Sequence, residues 1–411
     1  MGSTFEALAI PAFRRLWIAG YLYFFAIFAQ MIARGALAKD LEGSNAALGA
    51  VTLVFGLTGL VVTPFGGVAA DRFSKRAVLL VSTGLLLVSS VWISIAVQFE
   101  FINFWMLVAA SAVQSAGFSG LAPARMAFTA ELVGPDRLAN GVVLSQISLN
   151  VNRVAGPVLA GVFLSVPVLG IGGIYWVSSL ITAISGLLFL TLPPGLPRPE
   201  VSRSSATRDL LDGVRYGYTR WPLPLLLATS TLALVFGFPY VVFLPSVSED
   251  LFGAGDTGFA WLSTIGALGG LGASLFIAGR AKGPTAWKIQ NLSVIGFGVG
   301  VASTGLAPTF AAALAIMFFL GAASSAFQSM NATLILANST PEYHGRMQSL
   351  LQLGFNLFGI AALPIGICAD NFGLRQTLFV MGVVVTLVGG AAISVRRANS
   401  RVDGLPPQSP R

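Results

Sequence analysis

Four charged residues, Asp71, Arg72, Lys75 and Arg76, lie on a short segment between two long apolar runs. A carboxylate at the end of one helix can face the N-terminus of another, where the helix dipole favours negative charge. We expect Asp71 to face the residues near Gly345, at the start of a later apolar run. The chemistry of this segment is therefore electrostatic: it is either a latch between two helix ends or the ordinary basic charge of a cytoplasmic loop.

The basic residues of the segment have a candidate partner in Glu131, which lies at the end of the fourth apolar run. A carboxylate at that position can pair with any of the three cations. Gly67 lies four residues before Asp71 and belongs to the same segment. The predicted latch comprises Gly67, Asp71, Arg72, Lys75, Arg76 and Glu131.

Arg153 lies near the middle of an apolar run. An arginine at that depth of a bilayer costs at least about 2.5–3.5 kcal/mol on insertion scales, so it should face a partner or a wet cavity. By our boundaries no Asp or Glu lies inside a run, and all 16 acids fall in loops or at the ends of runs. An anionic substrate group is one candidate partner, and backbone carbonyls or nearby amides are the other.

Amide side chains recur in several runs. Each taken singly is more often a helix–helix hydrogen bond than a ligand contact, but as a set they can line a central cavity. Arg34 and Arg125 lie within about a turn of the ends of their runs, so both can extend to the polar interface. Arg34 can also line the outer mouth of the cavity. The predicted cavity comprises Gln30, Arg34, Gln114, Gln146, Asn150, Arg153, Gln328, Asn331, Gln352 and Asn356, with apolar walls from Tyr21, Phe24, Phe118 and Tyr240.

No catalytic residue, metal site or cofactor is expected. Cys368 is the only cysteine and His344 the only histidine, and neither has a nucleophile, base or metal ligand near it in sequence. The glycines of residues 296–300 form a G-x-G-x-G pattern inside an apolar run, where no dinucleotide site can form. The sequence therefore predicts a protein that is not an enzyme.

The elements that position these residues are long and apolar. Apolar residues make up 55% of the 411-residue chain, and its mean hydropathy is +0.81. Runs of about 20 residues match the thickness of a bilayer core, and their continuous apolar character favours helices over strands. We predict an all-α integral membrane protein with twelve transmembrane helices, roughly at residues 15–38, 46–70, 77–98, 103–127, 139–166, 171–192, 223–247, 257–279, 288–306, 309–337, 347–368 and 374–395.

Prolines, serines and arginines interrupt the apolar runs in the middle of the chain. We therefore predict an N-terminal six-helix bundle at 1–192, a cytoplasmic linker at 193–222, a C-terminal six-helix bundle at 223–396 and a cytoplasmic tail at 397–411. A shift of 206 residues supports this division because it aligns polar residues as well as leucines: Pro135 with Pro341, Asp136 with Glu342, Leu144 with Leu350, Gln146 with Gln352, and Asn150 with Asn356. Two pseudo-symmetric bundles follow.

The distribution of positive charge predicts the topology. If the N-terminus is internal, 19 of the 24 Lys and Arg residues fall in cytoplasmic segments. This asymmetry follows the positive-inside rule and places both termini in the cytoplasm. It also accounts for the net charge of +8 without a nucleic-acid partner. We expect a multi-pass protein of the bacterial inner membrane, a monomer whose partners are the lipid bilayer and a small-molecule substrate.

The segment from Gly67 to Arg76, with its G-x-x-x-D-R-x-x-K-R pattern, resembles the loop 2–3 signature of the major facilitator superfamily of secondary transporters. Ser74 replaces the glycine usual in that signature, and the corresponding second-half loop has no Asp. The resemblance implies a two-bundle fold that works by alternating access. It also implies that the latch holds the outward-open state.

The fifth run contains Gly156, Pro157 and Gly161 in the order G-P-x-x-A-G, which resembles the G-P-x-x-G-G motif of proton antiporters. The alternative interpretation is a tight helix crossing. The stretches 33–35, 123–125, 131–133 and 152–157, together with 344–346, resemble the enterobactin-exporter and macrolide-efflux branch. That likeness implies export of a siderophore-like or amphipathic molecule at the expense of the proton gradient. The arginine that this branch ties to proton coupling in span four is missing.

Two alternatives remain open. An importer or facilitator of a small nutrient would share the fold and differ only in direction or coupling. A receptor or lipid-handling protein would bind a ligand without transporting it against a gradient.

Overall fold

The computed structural model describes residues 6–164, 166, 170–195, 206–277, 284–340 and 343–402. All regular secondary structure in these ranges is helical, as predicted. They are α1 (Pro11–Glu42), α2 (Asn45–Arg72), α3 (Lys75–Gln98), α4 (Phe104–Leu164), α5 (Gly170–Leu190), α6 (Ala206–Thr219), α7 (Leu223–Gly237), α8 (Leu244–Phe252), α9 (Gly255–Ile277), α10 (Pro284–Leu306), α11 (Phe310–Ala337), α12 (His344–Phe372) and α13 (Leu374–Val402). Short 3-10 segments lie at Glu6–Ala9 and Phe238–Val241.

Ten helical segments in the described ranges are long and apolar enough to cross a membrane, and Asn356–Phe372 is a shorter apolar helix. The predicted spans at 103–127 and 139–166 both lie in α4, where Gly134 interrupts the helix. Its φ of 69° and ψ of 174° belong to a region of backbone space that only glycine enters readily. The two predicted spans are therefore joined by a glycine break rather than by a loop.

The chain clusters into two compact units. The first contains Met1–Gly43 and Ala50–Ala206, and the second contains Ser44–Gly49 and Thr207–Arg411. In the first unit, α1 and α3 both pack against α4 and α5. Large buried side chains from these helices, including Phe13, Tyr23, Phe128 and Phe189, form its core.

In the second unit, α9 packs on α11, α10 packs on α11 and α13, and α7 packs on α12. The contact between α10 and α13 depends on a glycine. A Cβ atom at Gly298 would lie 2.5 Å from the backbone nitrogen of Thr386, so only a hydrogen side chain fits there. Small residues allow this close backbone approach, which supplies van der Waals contact where lipid removes the hydrophobic driving force.

The predicted linker at 193–222 contains α6, which belongs to the second unit. The helix packs on the turn before α12. The ring of Tyr216 stacks on Tyr343 with centroids 3.8 Å apart, and its hydroxyl accepts a hydrogen bond from the Thr340 amide at 2.9 Å. This part of the linker is therefore a docked helix and not a free tether.

Candidate functional site

The first unit brings together three of the predicted cavity residues, Gln30, Arg34 and Gln114, all buried. Arg34 Nη1 donates to Gln114 Oε1 at 3.1 Å, and Gln114 Nε2 donates to Gln30 Oε1 at 2.9 Å. Gln30 Nε2 then donates to Ser90 Oγ at 2.7 Å. The Ser90 hydroxyl donates in turn to the Leu86 carbonyl at 2.6 Å. The result is a single chain of hydrogen bonds across α1, α4 and α3.

This chain of hydrogen bonds runs in one direction: each amide accepts a hydrogen bond from the Arg34 side and donates one away from Arg34. The order fixes the amide orientation of Gln114, which must present its oxygen to the guanidinium. The Arg34 guanidinium also lies over the ring of Phe55, with Cζ 4.6 Å from the centroid. Its remaining donors have no carboxylate partner among the described residues. Arg34 is thus a buried cation that is held in place without being neutralised.

The expectation that Arg34 and Arg125 extend to the interface is wrong, since both side chains are buried. The cause is helix length. α1 continues to Glu42, so Arg34 lies eight residues, or about 12 Å, from its end. Arg125 lies nine residues before the break at Gly134, or about 13 Å along α4. In both cases the helix extends beyond the apolar run that was used to place its end.

Arg125 is a cation site that the sequence analysis did not include in the cavity. Its Cζ lies 4.7 Å from the centroid of Phe24, which attracts the cation through the ring face. Its Nε and Nη1 atoms are buried and have no hydrogen-bond partner. Phe24 itself makes an edge contact with Phe118 at 6.0 Å, so the two predicted aromatic walls do meet. The signal available in the sequence was an arginine in an apolar run without an acid nearby.

The second unit has buried amides in place of buried cations. Gln290 Nε2 donates to Asn331 Oδ1 at 3.0 Å, while Gln290 Oε1 and Asn331 Nδ2 have no partner. Gln328 bonds only to the Ser324 carbonyl of its own helix, at 3.4 Å. Asn356 is half-buried, with Nδ2 unpartnered. Of the predicted set, only Asn331 therefore has a described amide partner in this unit, and that partner, Gln290, was not predicted.

An aromatic cluster surrounds Phe297 in the second unit. Its ring lies 5.5 Å from Phe238, 6.2 Å from Tyr240 and 6.2 Å from Phe327, measured between centroids. Phe238 also contacts Phe358 at 6.2 Å. Tyr240, predicted as an apolar wall, belongs to this cluster. The second unit therefore offers apolar and neutral polar groups.

Several predicted site residues have side chains outside the described part of the chain. They are Asp71 in the latch, Gln146, Asn150, Arg153 and Gln352 in the cavity, and Pro157 in the G-P motif. Gly67 lies at a position whose surroundings are likewise not described. Their roles stay predictions.

Around the predicted latch, Lys75 is the cation that contacts Glu131. The Lys75 ammonium is buried and lies 3.0 Å from Glu131 Oε2, which is about one-third exposed. Arg76 donates instead to the Leu192 carbonyl at the end of α5, at 2.9 Å, and Arg72 is exposed. The three cations therefore have three different environments.

Ser74, which replaces a glycine of the resembled signature, caps α3. Its hydroxyl accepts a hydrogen bond from the Ala77 amide at 3.3 Å, and its backbone is extended, as at a helix N-cap. Serine satisfies one of the free amides of the first turn, which glycine cannot do with a side chain. The departure from the signature thus has a local structural reason.

The two ordered glycines of the G-P-x-x-A-G stretch lie in buried positions. A Cβ atom at Gly156 would lie 2.6 Å from the Phe28 Cβ and 3.0 Å from the Ala29 nitrogen of α1. Gly161 has no such close neighbour described. This geometry is that of a tight crossing between α1 and the second arm of α4.

Asp370, near the end of α12, was placed outside the predicted span at 347–368. Its carboxylate accepts from the Asn45 backbone nitrogen at 2.9 Å, from Asn45 Nδ2 at 2.9 Å and from the Ala46 nitrogen at 2.8 Å. All three residues belong to the second unit. A carboxylate thus occupies the N-terminus of α2, which is the kind of contact that was expected of Asp71.

Within the described ranges, no group of three His, Cys, Asp or Glu side chains lies close enough together to hold a metal ion. The acids of α1, α2, α4 and α12 lie within about a turn of a helix end or of the break in α4. In the interiors of these four helices, the described charged side chains are therefore basic.

The sequence profile of the Major Facilitator Superfamily matches residues 16–360, and the chain belongs to this superfamily of multi-pass membrane transporters. The chain is 23% identical over 331 residues to the staphyloferrin A transporter of Staphylococcus aureus, covering 79% of this chain and 81% of that protein. It is 25% identical over 406 residues to the enterobactin exporter EntS of Shigella boydii, covering 92% of both. The predicted resemblance to the superfamily and to the enterobactin-exporter branch is confirmed.

Solved structures show the same fold. The nucleoside transporter NupG has a TM-score of 0.73 at 15% identity, covering 93% of this chain and 98% of that one. A bacterial homologue of the human lysosomal transporter Spinster has a TM-score of 0.72 at 16% identity, covering 97% and 98%. At these identities the likeness concerns architecture alone, so the predicted all-α transporter fold is confirmed and the substrate is not addressed.

Proposed function

We propose that this transporter exports a small anionic or amphipathic molecule, of siderophore-like or drug-like chemistry, using the proton gradient. It would act as a monomer in the bacterial inner membrane with both termini in the cytoplasm, as the distribution of Lys and Arg predicts. Alternating access would move the substrate past Arg34 in the first unit.

The observation that carries this proposal is the arrangement at Arg34. A buried guanidinium without a carboxylate is costly in a membrane, and proteins keep such groups mainly where they serve a ligand or an ion path. The chain through Gln114, Gln30 and Ser90 occupies one nitrogen and orients the group, which leaves other donors for an anion. A carboxylate or catecholate oxygen pair matches the planar guanidinium in geometry and charge.

The relatives support the direction and the substrate class. One is named for export of enterobactin and another for transport of staphyloferrin A. An amphipathic substrate would also be served by the aromatic cluster around Phe297 in the second unit.

Coupling to protons is proposed from the relatives and from the G-P-x-x-A-G stretch. The close approach of Gly156 to α1 supports a role in helix crossing and leaves the antiporter role as a proposal. The acids of α1, α2, α4, α9 and α12 lie near a helix end or near the break at Gly134, so proton transfer would take place at such a position or on the substrate itself. The latch at Asp71 would set the balance between the two access states.

The proposal is tested by uptake of labelled catecholate and carboxylate siderophores, and of macrolides, into inside-out vesicles. We expect accumulation that an uncoupler abolishes. Arg34→Gln should lower kcat/KM for anionic substrates about tenfold to a hundredfold, because a hydrogen bond to a charged group contributes about 1.5–3 kcal/mol. Cationic or neutral substrates should be affected far less.

Arg14→Gln is the matched control, since Arg14 lies on the same helix but is exposed. It should transport like the wild type. Accumulation only in right-side-out vesicles would replace export with import, and equilibration unaffected by the uncoupler would indicate facilitation. Binding without any flux would favour a receptor or lipid-handling protein. An equal loss for anionic and cationic substrates would assign Arg34 to structure.

A further inference from the structure

A surface pocket of about 10 Å³, room for about one water, lies between α7, α10 and α13, entirely within the second unit; Gln290 is the one residue discussed above that lines it. Polar side chains that line it are Thr229, Trp287, Gln290, Asn291 and Arg396. Trp287 lies near the start of α10, and Arg396 lies near the end of α13. The pocket therefore lies at the end of the unit where α10 begins and α13 ends.

Arg396 stacks on Trp287, with Cζ 3.8 Å from the ring centroid. Stacking uses the face of the guanidinium and leaves its N–H groups free at the edge. Among the described residues, no carboxylate pairs with Arg396 and no carbonyl accepts a hydrogen bond from it. The stack therefore orients a cation whose donors are unused.

Gln290 gives a second, independent indication of a ligand. It is 3% exposed, and Oε1 has no hydrogen-bond partner while Nε2 donates to Asn331. If both amides are turned over, the pair stays bonded and Gln290 Nε2 becomes the free group. In either orientation, one polar atom of a buried side chain lining the pocket lacks a protein partner, which is costly unless a water or a ligand in the pocket satisfies it.

The surroundings match an amphipathic ligand. Lys288 and Arg397 are exposed at the same end of the unit and add positive charge. Leu292 on α10 and Val395 on α13 are exposed at 75% and 45% and offer apolar surface. Basic pockets between transmembrane helices near the membrane surface bind anionic lipid headgroups, and a nearby Trp is typical of that depth.

We propose that the mouth of this pocket binds the phosphate headgroup of an anionic glycerophospholipid, with Arg396 contacting the phosphate and Gln290 linked to the headgroup through a water in the pocket. The acyl chains would lie along the apolar surface of α10 and α13. The site does not depend on the identity of the transported substrate.

The test is native mass spectrometry of the full-length protein, purified and incubated with phosphatidylglycerol. Wild type should retain one phosphatidylglycerol that Arg396→Gln retains about tenfold less, as expected for loss of a hydrogen bond to a charged group. Arg397→Gln, at the adjacent exposed arginine, is the matched control and should retain the lipid like the wild type. Arg396→Lys should give an intermediate loss, since it keeps the charge without the planar stack.

Further arms distinguish the ligand source. Phosphatidylcholine should bind more weakly than phosphatidylglycerol, and inorganic phosphate should not compete at millimolar concentrations. Equal retention by Arg396→Gln and Arg397→Gln would overturn the proposal, as would competition by inorganic phosphate. Gln290→Leu gives a second route: unchanged lipid retention in that variant would remove Gln290 from the site.

Discussion

The two units bury different kinds of polar group. Among the described residues, every buried basic side chain belongs to the first unit: Arg34, Lys75 and Arg125. The second unit buries amides and hydroxyls, with Gln290 and Asn331 bonded to each other. Neutral amides can satisfy one another at modest cost, whereas a buried guanidinium without an acid is expensive. The difference supports the proposal that the transported anion contacts the first unit.

The largest effect that tests this difference between the units is expected at Arg125. Arg125→Leu should lower transport of an anionic substrate at least about tenfold, which corresponds to about 1.4 kcal/mol of lost interaction. It should leave thermal stability in detergent unchanged or higher, because two buried nitrogens without partners are removed. Measuring transport and thermal stability on the same preparation separates a substrate-binding role of Arg125 from a structural role. If Arg125 has a structural role, its replacement would instead lower thermal stability, and that result would contradict the proposed difference between the two units.

The amide pair of the second unit should behave in the opposite way. Asn331→Leu should destabilise the protein by about 1–3 kcal/mol, since it leaves the Gln290 amide unsatisfied, and transport should change far less than in Arg125→Leu. The double variant with Gln290→Leu should recover part of the lost stability. The readout is a double-mutant cycle on thermal unfolding with transport measured in parallel. A transport loss as large as that of Arg125→Leu would show that the second unit also binds the charged group.

A smaller effect is expected at the helix-end carboxylate. Asp370→Asn should cost about 0.3–1 kcal/mol, the range for a charge at a helix N-terminus, because asparagine keeps one acceptor but not the charge. Asp71→Asn, the corresponding change at the predicted latch, should instead slow turnover in a folded protein. The test is to measure thermal unfolding and the initial transport rate of both variants. Identical profiles would mean that both acids serve only as caps.

The fold was accessible from the sequence because lipid imposes a simple rule. Long apolar runs must be helices, and their number and the polar break near residue 200 indicated two sets of helices. The ends of the helices were harder to predict from the sequence. Glu42, Gly134 and Phe372 end their helical segments beyond the apolar runs, and Arg34 and Arg125 were placed too close to a helix end for that reason.

The candidate site was partly accessible. Gln30, Arg34 and Gln114 were chosen as polar residues in apolar runs, and the structure joins them in one chain. Gln290, near the start of its predicted span at 288–306, was not among the predicted residues. Ser74 could not be interpreted either, since a cap depends on backbone angles that a departure from a signature does not reveal.

The glycine contact between α10 and α13 has a consequence for biosynthesis. Gly298 needs the backbone of α13 against it, and α13 is synthesised only after α11 and α12. The second unit therefore cannot finish packing when α10 enters the membrane, and α10 must wait there until α13 has been inserted. A premature stop before Leu374 would leave that groove open to lipid, so the truncated chain would be a substrate for membrane quality control.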